Sequence, residues 1–266
     1  MTKARVSISF DDGRFDNLDV IERILTPSKI PATIFISTGY VDGSCPKKML
    51  PTNKPAMTIE DVRRLHQNPF VEIGLHGDMH LNEDLDIKRG REKLLQWLDL
   101  NDDYSFGFAS PGTSFPIERF IQSDDPLYTC AISYLAMGTR FLTCRNKRLL
   151  CRKAGRVIHS NRLFQEAYQD TLMQDCSDRV IYRVPILRDT SASQIISLLQ
   201  KGIQKQQSIT LMFHSIGTES SGDLWTWSNI KFEALYEYLC EKRATNSVEL
   251  CTTMQVFQSL DSRSKV

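Results

Sequence analysis

The chain lacks any apolar run near the roughly 18 residues that a membrane-spanning helix needs, so no membrane span is expected. It also lacks an excess of either charge: 33 Lys and Arg stand against 32 Asp and Glu, a net charge of +1. Such a balance gives no overall pull toward nucleic acid. No C-x-x-C pair occurs among the seven cysteines Cys45, Cys130, Cys144, Cys151, Cys176, Cys240 and Cys251. Their odd number and spacing argue against metal or dithiol redox roles and for reduced, mostly buried thiols. There is no internal repeat, low-complexity tract or linker. The first strand candidate begins at Arg5, which leaves no room for a basic and apolar leader, so a cytoplasmic setting is expected.

What is present is a chain of 266 residues, 41% hydrophobic, long enough to bury a full core as a single domain over residues 1–266. Short apolar strand candidates read Arg5–Phe10, Ala32–Ser37, Phe70–Gly74, Ser105–Ala109, Tyr128–Ser133, Val180–Val184, Ile209–Phe213 and Val248–Cys251. Helical periodicity falls between them, at Val20, Ile21, Ile24 and Leu25, at Ile195 to Ile203, and at Phe232 to Leu239. Thr58 with Asp61 resembles a capping box, and Ser228 is a candidate cap for the helix through Leu239. Alternating strands and helices predict a parallel sheet with crossover helices, and this many units predict a distorted (β/α) barrel of seven or eight strands. Residues 40–57 read as a surface loop, and Asp261–Val266 as a frayed tail.

Three strand ends carry chemistry. Ser9-Phe10-Asp11-Asp12-Gly13 puts two adjacent carboxylates after an alternating strand. Like charges side by side are costly, and a nearby cation removes the cost. His76 and His80, four residues apart after the third strand candidate, are spaced to share one face of a helical turn and chelate. With Asp12 they form a set of two histidines and one carboxylate that leaves metal positions open for water and substrate. His214 ends the strand Ile209–Phe213, where a histidine can serve as general acid. His66 and His159 lack such placement and read as surface residues.

The motifs, in this order, resemble those of the polysaccharide deacetylases, the NodB-homology or carbohydrate esterase family 4 group. Ser9 to Gly13 resembles the first motif, Ile30 to Phe35 the second strand, His76 to His80 the histidine pair and Leu211 to His214 the late histidine motif. The likeness runs from about residue 5 to 260. The resemblance implies a NodB-like barrel in which Asp12, His76 and His80 hold a divalent metal, zinc foremost. It implies Asp11 as general base on metal-bound water and His214 as the acid that protonates the leaving amine.

The chain departs from the pattern in its third motif. Phe108-Ala109-Ser110-Pro111-Gly112-Thr113 keeps the proline and glycine but has no arginine to pair with the base. Ser110 and the distant Arg183 are candidates to orient Asp11 instead. A fourth motif matches poorly at Arg188-Asp189-Thr190.

Between Arg140 and Arg162 stand eight Lys or Arg (Arg140, Arg145, Lys147, Arg148, Arg152, Lys153, Arg156, Arg162) and no acid. They form either a solvated face or a rim for a phosphate-linked or otherwise anionic sugar. Trp225 and Trp227 are candidates to stack on a sugar ring, or else packing aromatics.

The function expected is metal-dependent removal of an N-acyl group, N-acetyl foremost, from an amino sugar. The partner is a carbohydrate substrate, with no nucleic acid and no membrane span. The alternatives are a deformylase or amidase acting on another C–N bond, and a catalytically silent glycan-binding or assembly protein.

Overall fold

The computed structural model describes residues 3–112, 115–138, 145–176, 178–218 and 223–264. Its strands are β1 (Ala4–Phe10), β2 (Ala32–Ile36), β3 (Val71–Leu75), β4 (Phe106–Ala109), β5 (Ile132–Gly138), β6 (Val180–Pro185), β7 (Ile209–Phe213), β8 (Ser215–Gly217), β9 (Thr226–Ser228) and β10 (Val248–Cys251). Strands β1 to β7 pair in parallel in chain order, and β7 returns to β1 with Val6–Phe10 beside Ile209–Phe213. The result is a closed barrel of seven strands, the smaller of the two numbers the sequence left open. β10 runs beside the first half of β1, Ala4–Ser7, while β2 takes the second half, Ile8–Phe10. β8 and β9 form a separate short parallel pair beyond the β7 end.

The helices are α1 (Asp16–Val20), α2 (Thr38–Val41), α3 (Ile59–His66), α4 (Asp84–Leu98), α5 (Ile117–Gln122), α6 (Arg145–Val157), α7 (Asn161–Ala167), α8 (Ala192–Lys205), α9 (Asn229–Ala244) and α10 (Thr253–Ser264). Thr58 closes a capping box on α3 with Asp61, as its sequence predicts. Ser228 is the residue before α9, but its side chain makes no cap hydrogen bond.

Period-two alternation sorts each strand into an outer and an inner set. Val6, Ile8, Phe10, Ile34, Leu75, Phe108, Leu135, Val184, Leu211 and Phe213 face the helices in one continuous apolar layer. Each such side chain, fully buried, stabilises the fold by roughly 1.5–3 kcal/mol. The opposite set lines the barrel. Phe35, Ala109, Tyr134, Ala136 and Ile181 meet Val256 and Leu260 of α10, which plugs one end. The interior also holds polar groups: Glu72 accepts hydrogen bonds from Thr33 Oγ1 (2.8 Å), the Tyr134 hydroxyl (2.6 Å) and the Met254 amide (2.9 Å). Burial pushes the Glu72 carboxyl above its ordinary pKa despite these donors. Gly107 makes room for this packing, because a Cβ there would lie 2.2 Å from Tyr134 Cζ.

Four expectations are corrected. Tyr128–Ser133 is not one strand: Leu127–Ala131 is a π-turn, and β5 starts at Ile132. The strand-like Tyr128 packs on Phe115 and Phe120 instead, and Thr129 is exposed. The 40–57 segment is not wholly a surface loop, since Tyr40, Cys45 and Met57 are buried. The tail is helical through Ser264 because Val256 and Leu260 fill the barrel end; Lys265 and Val266 lie outside the described residues. His66 is half-buried on α3, whereas His159 is exposed as expected. Cys45, Cys151, Cys176 and Cys251 are buried free thiols, Cys240 is half-buried and Cys130 exposed; Cys144 lies outside the described residues.

Candidate active site

All seven barrel strands run the same way, so their C-terminal ends share one rim. Strand β1 delivers Asp11 and Asp12 to it, both buried. The Asp11 amide extends the ladder to Phe213 O at 3.0 Å. Asp12 and Gly13 then turn the chain with φ of +80° and +88°. Glycine takes this region freely and aspartate tolerates it better than most residues.

Strand β3 delivers His76, but the segment to His80 is not the helical turn its spacing suggests. Gly77 and His80 have φ of +78° and +59°, which a right-handed helix cannot include. The Asp86 carboxylate of α4 organises the loop instead, accepting from the amides of Asp78 (3.1 Å), Met79 (2.7 Å) and Leu81 (3.0 Å). The loop still brings the two imidazoles together, ring centroids 4.8 Å apart.

Asp12, His76 and His80 offer ligand atoms that all lie within 4.8 Å of one another. Asp12 Oδ1 is 3.5 Å from Nε2 of each histidine, and among the described residues it is a buried oxygen without a hydrogen-bond partner. His76 Nδ1 donates to Ala109 O at 2.7 Å, so its Nε2 is the atom presented to the site. An orphaned carboxylate oxygen facing two imidazole nitrogens is the donor set that a divalent cation takes.

The electrostatics agree. Burial raises the Asp12 carboxyl, but His76, His214 and Arg14 outweigh it and hold the group well below the usual carboxylate range. Burial, helped by the neighbouring His76, lowers His80 to about 4, leaving it neutral and able to ligate near pH 7. Burial lowers His76 too, yet Asp11 and Asp12 drive it above the ordinary value; the acid pair calls for a positive charge at this nitrogen.

Asp11 is oriented by Arg183 of β6, one of the two candidates. The guanidinium grips it with both ends, Nη1 to Oδ1 at 2.6 Å and Nη2 to Oδ2 at 2.9 Å. It also reaches Ser9 Oγ at 3.3 Å and lies 5.0 Å from the centre of the Phe35 ring. Burial pushes the Asp11 carboxyl up, and Arg183 together with His76 and His214 more than reverses this, so it stays ionised. Ser110, the other candidate, bonds to Asn82 Oδ1 at 3.3 Å. Thr113 of the same motif lies outside the described residues.

His214 lines the same cleft as these groups. Its ring packs 4.2 Å from that of Trp225, and burial lowers its pKa. Trp227 plays no part there: it is fully buried against Phe213 and donates its indole N–H to Thr190 O at 2.8 Å. Neither His66 nor His159 lines the cleft. The Arg188–Thr190 segment serves packing, with Asp189 paired to Arg156 at 2.6 Å.

The basic stretch resolves into structure as well. Lys147 pairs with Glu166 at 2.7 Å and Arg148 with Asp170, while Arg152 lines the cleft. Arg140 lies outside the described residues. The cleft has a volume of about 180 Å³.

One functional group escaped the sequence. Arg14, 1% exposed, holds the second oxygen of Asp12 through Nε and Nη2, both at 2.8 Å. A basic residue directly after an Asp-Gly turn reads as solvated surface, and nothing in its spacing says otherwise.

Residues 1–101 match the family model for polysaccharide deacetylase. That stretch holds Asp11, Asp12, His76 and His80, so the family resemblance read from the motifs is borne out there. The barrel is also that of a solved relative, a family 4 acetyl xylan esterase from Clostridium thermocellum in complex with a cobalt ion. The two share 15% identity over 96% of this chain and 90% of that one, with a TM-score of 0.51. Partial likenesses are to the Streptococcus pyogenes deacetylase PplD in complex with acetate (19% identity, 41% of this chain, TM-score 0.32) and to IcaB from Ammonifex degensii (22%, 48%, TM-score 0.37). The chain spans 46% and 57% of the length of those two proteins. No curated protein matches the chain. No helix among the described residues is long and apolar enough to cross a membrane.

Proposed function

We propose that this protein is a metal-dependent hydrolase that removes an N-acyl group, N-acetyl foremost, from an amino sugar. The observation that carries the reading is the orphaned Asp12 Oδ1 facing two imidazole nitrogens beside a separately held second carboxylate. The family match over residues 1–101 supports it. So does the name of the structure that shares the barrel, an acetyl xylan esterase in complex with a cobalt ion.

Asp12, His76 and His80 would hold the divalent metal, zinc in this reading, which supplies an acidified water and polarises the amide carbonyl when bound. Asp11, ionised and fixed by Arg183, accepts the proton of the attacking water. His214, on the cleft wall, passes a proton to the departing nitrogen, because an amine leaves poorly unprotonated. Its lowered pKa makes it a strong donor once charged. Trp225 offers a flat face on which a sugar ring can stack.

The charge of the cleft favours an anionic substrate, phosphate-linked or acidic. Asp11 and Asp12 are each offset by a buried arginine, Arg183 and Arg14. The Arg152 side chain lines the cleft, and a bound divalent ion would add positive charge beside it. A cytoplasmic setting remains part of this proposal.

The test is release of acetate, formate and ammonia from a panel of N-acylated sugars, with and without a phosphate. Acetate release that favours the phosphorylated sugars supports the reading. Formate or ammonia alone replaces it with the deformylase or amidase alternative. Tight metal binding with no turnover on any of them favours a silent glycan-binding protein, though Arg183 supplies the base-orienting group whose lack suggested that alternative.

A further inference from the structure

We infer that Arg14 is a positioning residue that keeps Asp12 a one-oxygen ligand, so that coordination positions on the bound metal stay open for water and substrate. The inference rests on the metal reading above and adds to it a residue that the motifs do not supply. Its basis is the division of labour on one carboxylate. Oδ1 is buried, unpartnered among the described residues and faces His76 and His80. Oδ2 accepts a hydrogen bond from Nε at 2.8 Å, and Nη2 of the same guanidinium pairs with it at 2.8 Å. A forked donor on one oxygen fixes the plane of the carboxylate and withholds that oxygen from the metal. A carboxylate free to use both oxygens would occupy a second coordination position, one that catalysis needs vacant.

The same guanidinium reaches across to the acid side of the cleft. Its Nη1 donates to Ser215 Oγ at 3.1 Å, on the residue after His214, and approaches Asp223 Oδ2 at 3.4 Å. Asp223 in turn accepts the Trp225 amide at 3.0 Å. Ser215 also donates to Asp16, which is paired with Lys54 at 2.7 Å. Arg14 therefore fixes the metal side of the site against the loop that carries the aromatic wall. An arginine this buried and this fully engaged has no solvated role to play.

An ordinary orienting partner predicts a different outcome from a withholding one. Losing the former weakens metal binding by about 10–100-fold. Losing the latter frees an oxygen and removes a positive charge beside the ion, so binding tightens while the open positions are lost. The experiment is calorimetric titration of Co²⁺ into the unmodified protein, Arg14→Gln and Arg14→Lys, with visible absorption of the cobalt-loaded forms and circular dichroism to confirm folding. The inference expects Arg14→Gln to bind cobalt more tightly than the parent, with weaker visible bands marking a higher coordination number. Arg14→Lys, which keeps the charge but has no fork, falls between. Should Arg14→Gln not fold, Arg14→Lys decides by the same two readouts. Cobalt binding weakened tenfold, or an unchanged spectrum and affinity, overturns the inference while leaving the metal reading intact. A parent protein that binds no cobalt overturns both.

Discussion

Replacing Arg183 with methionine removes one half of a buried ion pair at the barrel rim. Arg183 and Asp11 side chains are 1% and 3% exposed, and both carboxylate oxygens are engaged. Breaking such a pair by removing one partner leaves an uncompensated charge and costs about 3–5 kcal/mol. In a chain of this length each kcal/mol moves the melting temperature by roughly 2–4 °C, so the expected drop is about 6–20 °C. Urea unfolding of Arg183→Met, Asp11→Asn and the double variant separates the pair from its surroundings. Each single change strands a buried charge, whereas the double change leaves only a neutral amide without its partner. The double variant should therefore lose less than the sum of the singles, by about 2 kcal/mol or more. A loss under about 1 kcal/mol for Arg183→Met, with strictly additive effects in the double variant, would refute the claim that Arg183 holds Asp11.

Further outcomes follow from the interior and the rim. The Glu72 carboxyl is raised in the folded chain above its unfolded value of about 4.3. The folded state thus keeps its proton longer, and this contribution to stability is full below about pH 4.3 and is lost as pH rises through the raised value. Glu72→Gln should flatten that slope in urea midpoints measured between acid and neutral pH; an unchanged slope would assign it to other groups. Gly107→Ala drives a methyl into the Tyr134 ring and should cost about 1–3 kcal/mol by overpacking, read from thermal melts. Asp86→Ala removes the acceptor for three amides of the histidine loop. It should weaken cobalt affinity by about 10–100-fold, as loss of outer support does elsewhere; full affinity would show the loop holds its shape alone.

The parts of the site legible in the sequence are those whose residue type and strand position coincide. Asp11, Asp12, His76, His80 and His214 each follow an apolar run, and a parallel barrel gathers the ends of such runs on one rim. Arg183 was legible only as one option, because a lone arginine inside the apolar strand Val180–Pro185 shows that it needs a partner but not which one. Arg14 was illegible, since its burial is created by Ser215 and Asp223, some two hundred residues away in the chain. The turn at Gly77–His80 was misjudged because two histidines four apart satisfy a helix and an Asp86-capped loop equally well. Trp225 and Trp227 differ in role because Trp227 lies within β9 and packs on Phe213 in the core, whereas Trp225 stands before that strand and packs on His214.

The most direct measurement is the rate of acetate release from a phosphorylated N-acetylated amino sugar as zinc is returned to the chelator-stripped protein. The account predicts activity that rises with zinc and saturates at a single ion per chain. It also predicts that Asp12→Ala binds no zinc and that Asp11→Asn binds it fully but releases no acetate. Full activity in the stripped protein, or in Asp11→Asn loaded with zinc, would contradict it.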